Sequence, residues 1–104
     1  MHARIATYRL KAADPYEVAA KAERGMLPIF RSQPGFQAYS LVVSQGELGS
    51  LSTWETAEQA ESATTAASVW VRENLSNDVE LIDLRVGEVL LSTALGLSAL
   101  QISS

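Results

Sequence analysis

The side chains in this sequence best suited to chemistry are two tyrosines and two tryptophans: Tyr8, Tyr39, Trp54 and Trp70. A phenolic hydroxyl donates or accepts a hydrogen bond, and an indole offers a flat apolar face with one N–H. Tyr8 is placed to hydrogen-bond a substrate oxygen or a peroxide formed from it, and Trp54 to wall an aromatic-binding cavity. Tyr39 and Trp70 join them as substrate contacts. Each also has a plainer role. Trp54 and Trp70 can anchor helices on a sheet, and Tyr8 can be a half-buried strand residue with its hydroxyl in water. More reactive groups are scarce. The chain has no cysteine, which removes thiolate nucleophiles, thiolate metal ligands, iron–sulfur clusters and disulfides together. Its single histidine, His2, lies at the start of the chain, whereas a Ser-His-Asp triad needs a held imidazole and catalytic zinc needs two or three. No pair of carboxylates has a spacing distinctive of acid–base work. No metal and no cofactor is therefore expected.

Composition narrows the partners. The 104 residues suit one domain, with 47% hydrophobic and 19% charged residues in an ordinary globular balance. The net charge is −4 and no Lys/Arg cluster is present, so neither nucleic acid nor an anionic membrane surface is expected as a partner. The N-terminal residues do not read as a secretory signal, and no stretch approaches the ~20 apolar residues that span a bilayer. A cysteine-free chain fits a reducing cytoplasm.

The elements that must hold the four aromatics can be read in order. Residues 3–10 form a strand, with Ala6, Tyr8 and Leu10 on one face and Ile5, Thr7 and Arg9 on the other. Which face meets the helices is open, but Arg9 points away from Tyr8. Asp14-Pro15-Tyr16-Glu17 starts a helix, and Val18, Ala22, Met26 and Phe30 form its apolar stripe. Pro28 should kink or restart it near Met26 or Leu27, and Gln33-Pro34-Gly35 ends it. Strands follow over 36–44 and 48–55, joined at Gln45-Gly46-Glu47. Thr56 and Gln59 make a capping box for a second helix, which carries Ala60, Ala63, Ala67, Trp70 or Val71, and Leu75 on one face. Residues 79–91 give a last strand with a bulge or bend at Gly87. The tail, residues 92–104, could be a short helix, an added strand or an arm on a partner.

Strand, helix, strand, strand, helix, strand is the split βαβ order of an α+β, ferredoxin-like domain with a four-stranded antiparallel sheet. Two helices cover one face of such a sheet. Apolar residues on the other face call for cover, and a twofold-symmetric homodimer would supply it.

The chain resembles the antibiotic biosynthesis monooxygenase-like domains of the dimeric α/β-barrel superfamily over residues 3–91. The resemblance lies in Gln33-Pro34-Gly35-Phe36 closing the first helix, the hairpin after it, and Leu51-Ser52-Thr53-Trp54-Glu55-Thr56 leading into Glu58 and Ala60. It implies an enzyme that oxidises small phenolic or hydroquinone-like aromatics to quinones without metal or flavin. In that case Tyr8 would supply a hydrogen bond and Trp54 a stacking wall. A haem-degrading branch of the family uses a first-strand asparagine, a second-helix tryptophan and an axial histidine. This sequence has Tyr8, Ala63 and Glu73 at or near those places, which points away from haem. The alternative is a non-catalytic small-molecule-binding or dimerisation domain of the same fold.

Overall fold

The computed structural model describes residues 1–11 and 14–102. Six main elements appear in the order read from the sequence: β1 (His2–Leu10), α1 (Pro15–Ser32), β2 (Phe36–Ser44), β3 (Glu47–Trp54), α2 (Ala57–Asn74) and β4 (Val79–Glu88). The strands form one sheet in the order β2-β3-β1-β4, with every neighbouring pair antiparallel. This is the ferredoxin-like α+β arrangement.

Local chemistry fixes the ends of the elements. The Asp14 carboxylate accepts from the Tyr16 N–H at 2.9 Å at the start of α1. The Thr56 hydroxyl accepts from the Gln59 N–H, while the Gln59 side-chain oxygen accepts from the Thr56 N–H, a complete capping box on α2. Gly35 sits against that box at φ +82°, and a Cβ there would stand 1.8 Å from Gln59 Oε1. Glycine is therefore required twice over, by the backbone and by the neighbour. The hairpin turn is Gln45-Gly46, both residues at positive φ, which matches the twist of the flanking strands.

Three expectations differ in detail. Helix α1 runs unbroken through Pro28. Pro28 and Arg24 are both exposed, so the carbonyl that loses its N–H partner can turn to water. The irregularity in β4 lies where Thr7 pairs with Asp83 and Tyr8 with Leu81, leaving Ile82 as the extra residue; Gly87 stays in register with Ala3. Strand β4 ends at Glu88, three residues short of the expected Leu91. The tail then makes a tight turn closed by a Ser92–Leu97 bridge and a short helix, Ala99–Ile102. Ser103 and Ser104, also assigned to the tail, lie outside the described residues.

The sheet's phase is now settled. Arg4, Ala6 and Tyr8 of β1 face the helices, with Leu48, Ser50, Ser52 and Trp54 beside them on β3. The helices press small residues onto this face, Ala22 from α1 and Ala60, Ala63 and Ala67 from α2. The opposite face carries Ile5, Val42 and Leu51, which are 45%, 62% and 41% exposed.

Candidate functional site

Between the two helices and the sheet lies a small cavity. Its floor is Arg4 and Tyr8 of β1, Tyr39 and Leu41 of β2, and Leu48 and Ser50 of β3. Its roof is Val18, Ala22 and Met26 of α1 with Trp70, Val71 and Leu75 of α2. Its free volume is about 20 Å³, room for one water and too little for an aromatic ring. Three of the four aromatics singled out in the sequence, Tyr8, Tyr39 and Trp70, meet here.

Trp54 does not line the cavity. Its fully buried indole packs edge-on to Phe30 and Phe36, with ring centroids 5.3 and 5.4 Å away, and its N–H donates to Ser52 Oγ at 2.9 Å. That is the core-anchor role. His2 is the first residue of β1, paired with Trp54 and Glu88, and takes no part in the cavity. Arg9 points to the other side of the sheet and pairs with Glu80 in an exposed ion pair.

The residue that sequence reasoning passed over is Arg4. Only 2% of it is exposed. Its Nε donates to Thr64 Oγ1 on α2 at 3.0 Å, and it joins no ion pair among the described residues. Its Nη groups have no hydrogen-bond partner there either, and they are not among the fully enclosed unpartnered atoms, which are His2 Nδ1 and Thr53 Oγ1, so they keep some contact with solvent. A largely buried guanidinium without a counter-charge is less stable than one that meets an anion. The signal was present in the strand: Arg4 shares parity with Ala6 and Tyr8, so any phase that buries Tyr8 buries Arg4.

Register joins these polar groups. Arg4 pairs with Ser52, and Ser52 with Tyr39, so Arg4 and Tyr39 lie in one row across β1, β3 and β2. Burial pushes the Tyr39 hydroxyl up to about 12, against smaller opposing pulls from Ser50 and the Arg4 charge. Tyr39 is thus a hydrogen-bond donor at any physiological pH and not a base. The lining contains no carboxylate and no imidazole. The arrangement can stabilise a negative oxygen but offers no group suited to removing a proton.

Three walls of the cavity are shared with outer hollows, one of them lined by Tyr39 and Leu41 with Ala19, Glu23 and Leu27 of α1. Arg4, Tyr8, Val71 and Val79 also line a groove between α2 and β4 that contains Lys11, Arg72 and Glu80. Trp70 also faces a hollow between α1 and α2, beside Lys21, Arg24, Gly25 and Asn74.

No protein-family model matches the chain, and no curated protein matches it in sequence. Solved structures do match. SnoaB, a cofactor-independent oxygenase from Streptomyces nogalater, superposes with a TM-score of 0.67 at 12% identity, covering 88% of this chain and 96% of its own. The chain shares SnoaB's ferredoxin-like fold. MhuD, solved as a point mutant with two manganese protoporphyrin IX bound per active site, superposes with a TM-score of 0.65 at 16% identity, over 89% of this chain and 98% of MhuD. MupZ from Pseudomonas fluorescens gives 0.68 at 8% identity over 82% of this chain, which spans 65% of MupZ's length. At such identities the likeness is one of fold.

Proposed function

We propose that this chain is a monooxygenase for small aromatic substrates, of the cofactor-independent, quinone-forming type. The observation that carries this reading is the convergence of Arg4, Tyr8, Tyr39 and Ser50 on one cavity whose other walls are mostly apolar. A few directed polar groups in an apolar hollow are what a small-molecule site requires. A shared fold with an oxygenase that needs no cofactor supports it. The porphyrin bound in the MhuD structure fits poorly here, since no histidine lines the cavity.

In the reaction, a substrate bound as its anion passes one electron to O2, giving a substrate radical and superoxide. The two combine to a peroxide, which takes up a proton. The O–O bond then breaks, hydroxide leaves, and the remaining C–H proton goes with it as water. A CH2 group plus O2 becomes C=O plus water, with no outside reductant. Arg4 holds the charge of the substrate anion, and the Tyr8 hydroxyl donates to the peroxide oxygen. Tyr39 donates to the substrate oxygen. Trp70 stacks on the ring once it has moved aside to admit it. Trp54 acts at one remove, by fixing β3 under the helices.

The same proposal includes a homodimer. Ile5 and Leu51 are direct cross-strand partners on the open sheet face, with Val42 one strand over, and a second copy would cover them. Another protein of this fold is described as dimeric. A cytoplasmic setting accords with the absence of cysteine.

One observation favours a second reading, a non-catalytic binding or dimerisation domain: the cavity as it stands has room for no more than a single water. Oxygen uptake separates the two. With a panel of anthrone- and hydroquinone-type substrates, the enzyme should exceed the uncatalysed rate, and Tyr8→Phe should lower the excess by roughly 10²-fold. A panel with no excess uptake would leave the non-catalytic reading.

A further inference from the structure

We propose that the cavity is an anion site, which takes its aromatic ligand from solution as a phenolate or enolate and seats the charged oxygen on the Nη donors of Arg4. This rests on the cavity being a ligand site, and not on the oxygen chemistry that follows.

Arg4 differs from the other paired cations of the chain. Arg9, Lys21 and Arg85 each face an acid at the surface, whereas Arg4 is buried, joins no ion pair among the described residues and spends one donor on a neutral threonine. A guanidinium is cationic at physiological pH and offers five N–H donors in a planar fork. Those left over have no hydrogen-bond partner among the described residues and belong to a residue that lines the cavity. The buried charge and the missing counter-charge are one observation seen from two sides, and an oxyanion would complete the pair.

The lining also says how such a ligand becomes charged. With no carboxylate or imidazole in the cavity, no side chain there is suited to accept a ligand's proton. The proton must be left in bulk water before or during entry. An opposite charge within a few ångströms lowers the pKa of an acid by about 1–3 units, so Arg4 draws the anion from the mixture of forms in solution.

The groove that shares Arg4 with the cavity is charged to suit an anion. The chain as a whole carries −4, yet the groove between α2 and β4 that shares Arg4 and Tyr8 with the cavity adds Lys11 and Arg72. Its one acid, Glu80, is already paired with Arg9. Lys11 spends one donor on the Ser76 carbonyl and meets no acid among the described residues. A local positive approach on an acidic protein steers anions. The titratable groups about the cavity are thus Tyr8 and Tyr39 within it, Lys11, Arg72 and Glu80 at the groove, Glu23 in the hollow beyond Tyr39, and His2 two residues from Arg4 on the same face of β1.

The test is an absorbance titration without oxygen, using 4-nitrophenol, whose neutral and ionised forms differ in colour, beside 4-nitrotoluene as its uncharged counterpart. The protein should bind 4-nitrophenol as the phenolate, keep it ionised about one pH unit below its solution midpoint, and hold it at least tenfold more tightly than 4-nitrotoluene. Arg4→Gln should abolish the shift, and Arg4→Lys should keep part of it. Binding of 4-nitrophenol in its neutral form, equal affinity for 4-nitrotoluene, or no binding would each overturn the proposal in the unaltered protein, whether or not Arg4→Gln folds. A bound phenolate with no oxygen uptake on any substrate would retain the anion site and remove the oxygenase. Oxygen uptake indifferent to Arg4→Gln would do the reverse.

Discussion

Trp70 of α2 rests on Gly25 of α1 so closely that a Cβ at Gly25 would stand 2.5 Å from the indole Nε1. The contact is the seam between the helices, and Trp70 has the cavity on one side and an outer hollow on the other. A ring that is only partly buried, with space beyond it, is the wall most free to move.

Gly25→Ala should therefore push Trp70 outward. Alanine is favoured over glycine in a helix by about 1 kcal/mol, which offsets part of the lost packing, so global stability should change by no more than about 1 kcal/mol. The tryptophan emission should shift to the red and become more open to acrylamide quenching. An unshifted spectrum would mean that α1 yields and not the indole.

Trp54 tests the opposite property. Its indole is fully buried against Phe30 and Phe36 and bonded to Ser52. Trp54→Ala should cost about 3–5 kcal/mol in urea unfolding. Ser52→Ala, which strands the buried indole N–H, should cost about 1–3 kcal/mol. Trp54→Phe should lose less and leave ligand binding in place, since Trp54 lies outside the cavity. Loss of binding in a folded Trp54→Phe protein would return it to the site.

Much of this was legible in the sequence, for physical reasons that differ by feature. The Thr56–Gln59 box and the Asp14-Pro15 start are local chemistry, readable without tertiary knowledge, and both caps form. The faces of β1 were not readable. Both parities mix polar and apolar residues, and each holds one arginine, Arg4 on one and Arg9 on the other, so neither marks itself as the wet side. Arg4 goes inward because Ala6 and Tyr8 share its parity and α2 covers them, so tertiary packing overrides the preference of a charge for water. Trp54 shows the complement. Its parity with Ser52 gives its N–H a partner inside the protein, and this keeps it a core residue. The β4 irregularity at Ile82 and the early end of β4 come from pairing with β1, which no single strand reveals.

Tyr39 gives a signature in pH. Burial raises its hydroxyl from 10.0 to about 12 in the folded protein. Between those values the unfolded chain has lost this proton and the native protein has kept it, so the unfolded state binds fewer protons and stability falls as pH rises. The loss should reach ~2–3 kcal/mol by pH 12. Tyr39→Phe should remove that slope from the urea midpoint measured between pH 9 and 12. An identical slope in the variant would place the alkaline loss elsewhere.

The central claim is that the hollow beneath Trp70 opens to an aromatic anion. Trp54→Phe leaves Trp70 as the sole tryptophan. Titrating that protein anaerobically with a hydroquinone- or anthrone-type compound should quench its emission to a saturating limit, and Arg4→Gln in the same background should weaken the midpoint at least tenfold. Quenching that rises linearly without saturation, equally in both proteins, would show that nothing enters and would contradict the account.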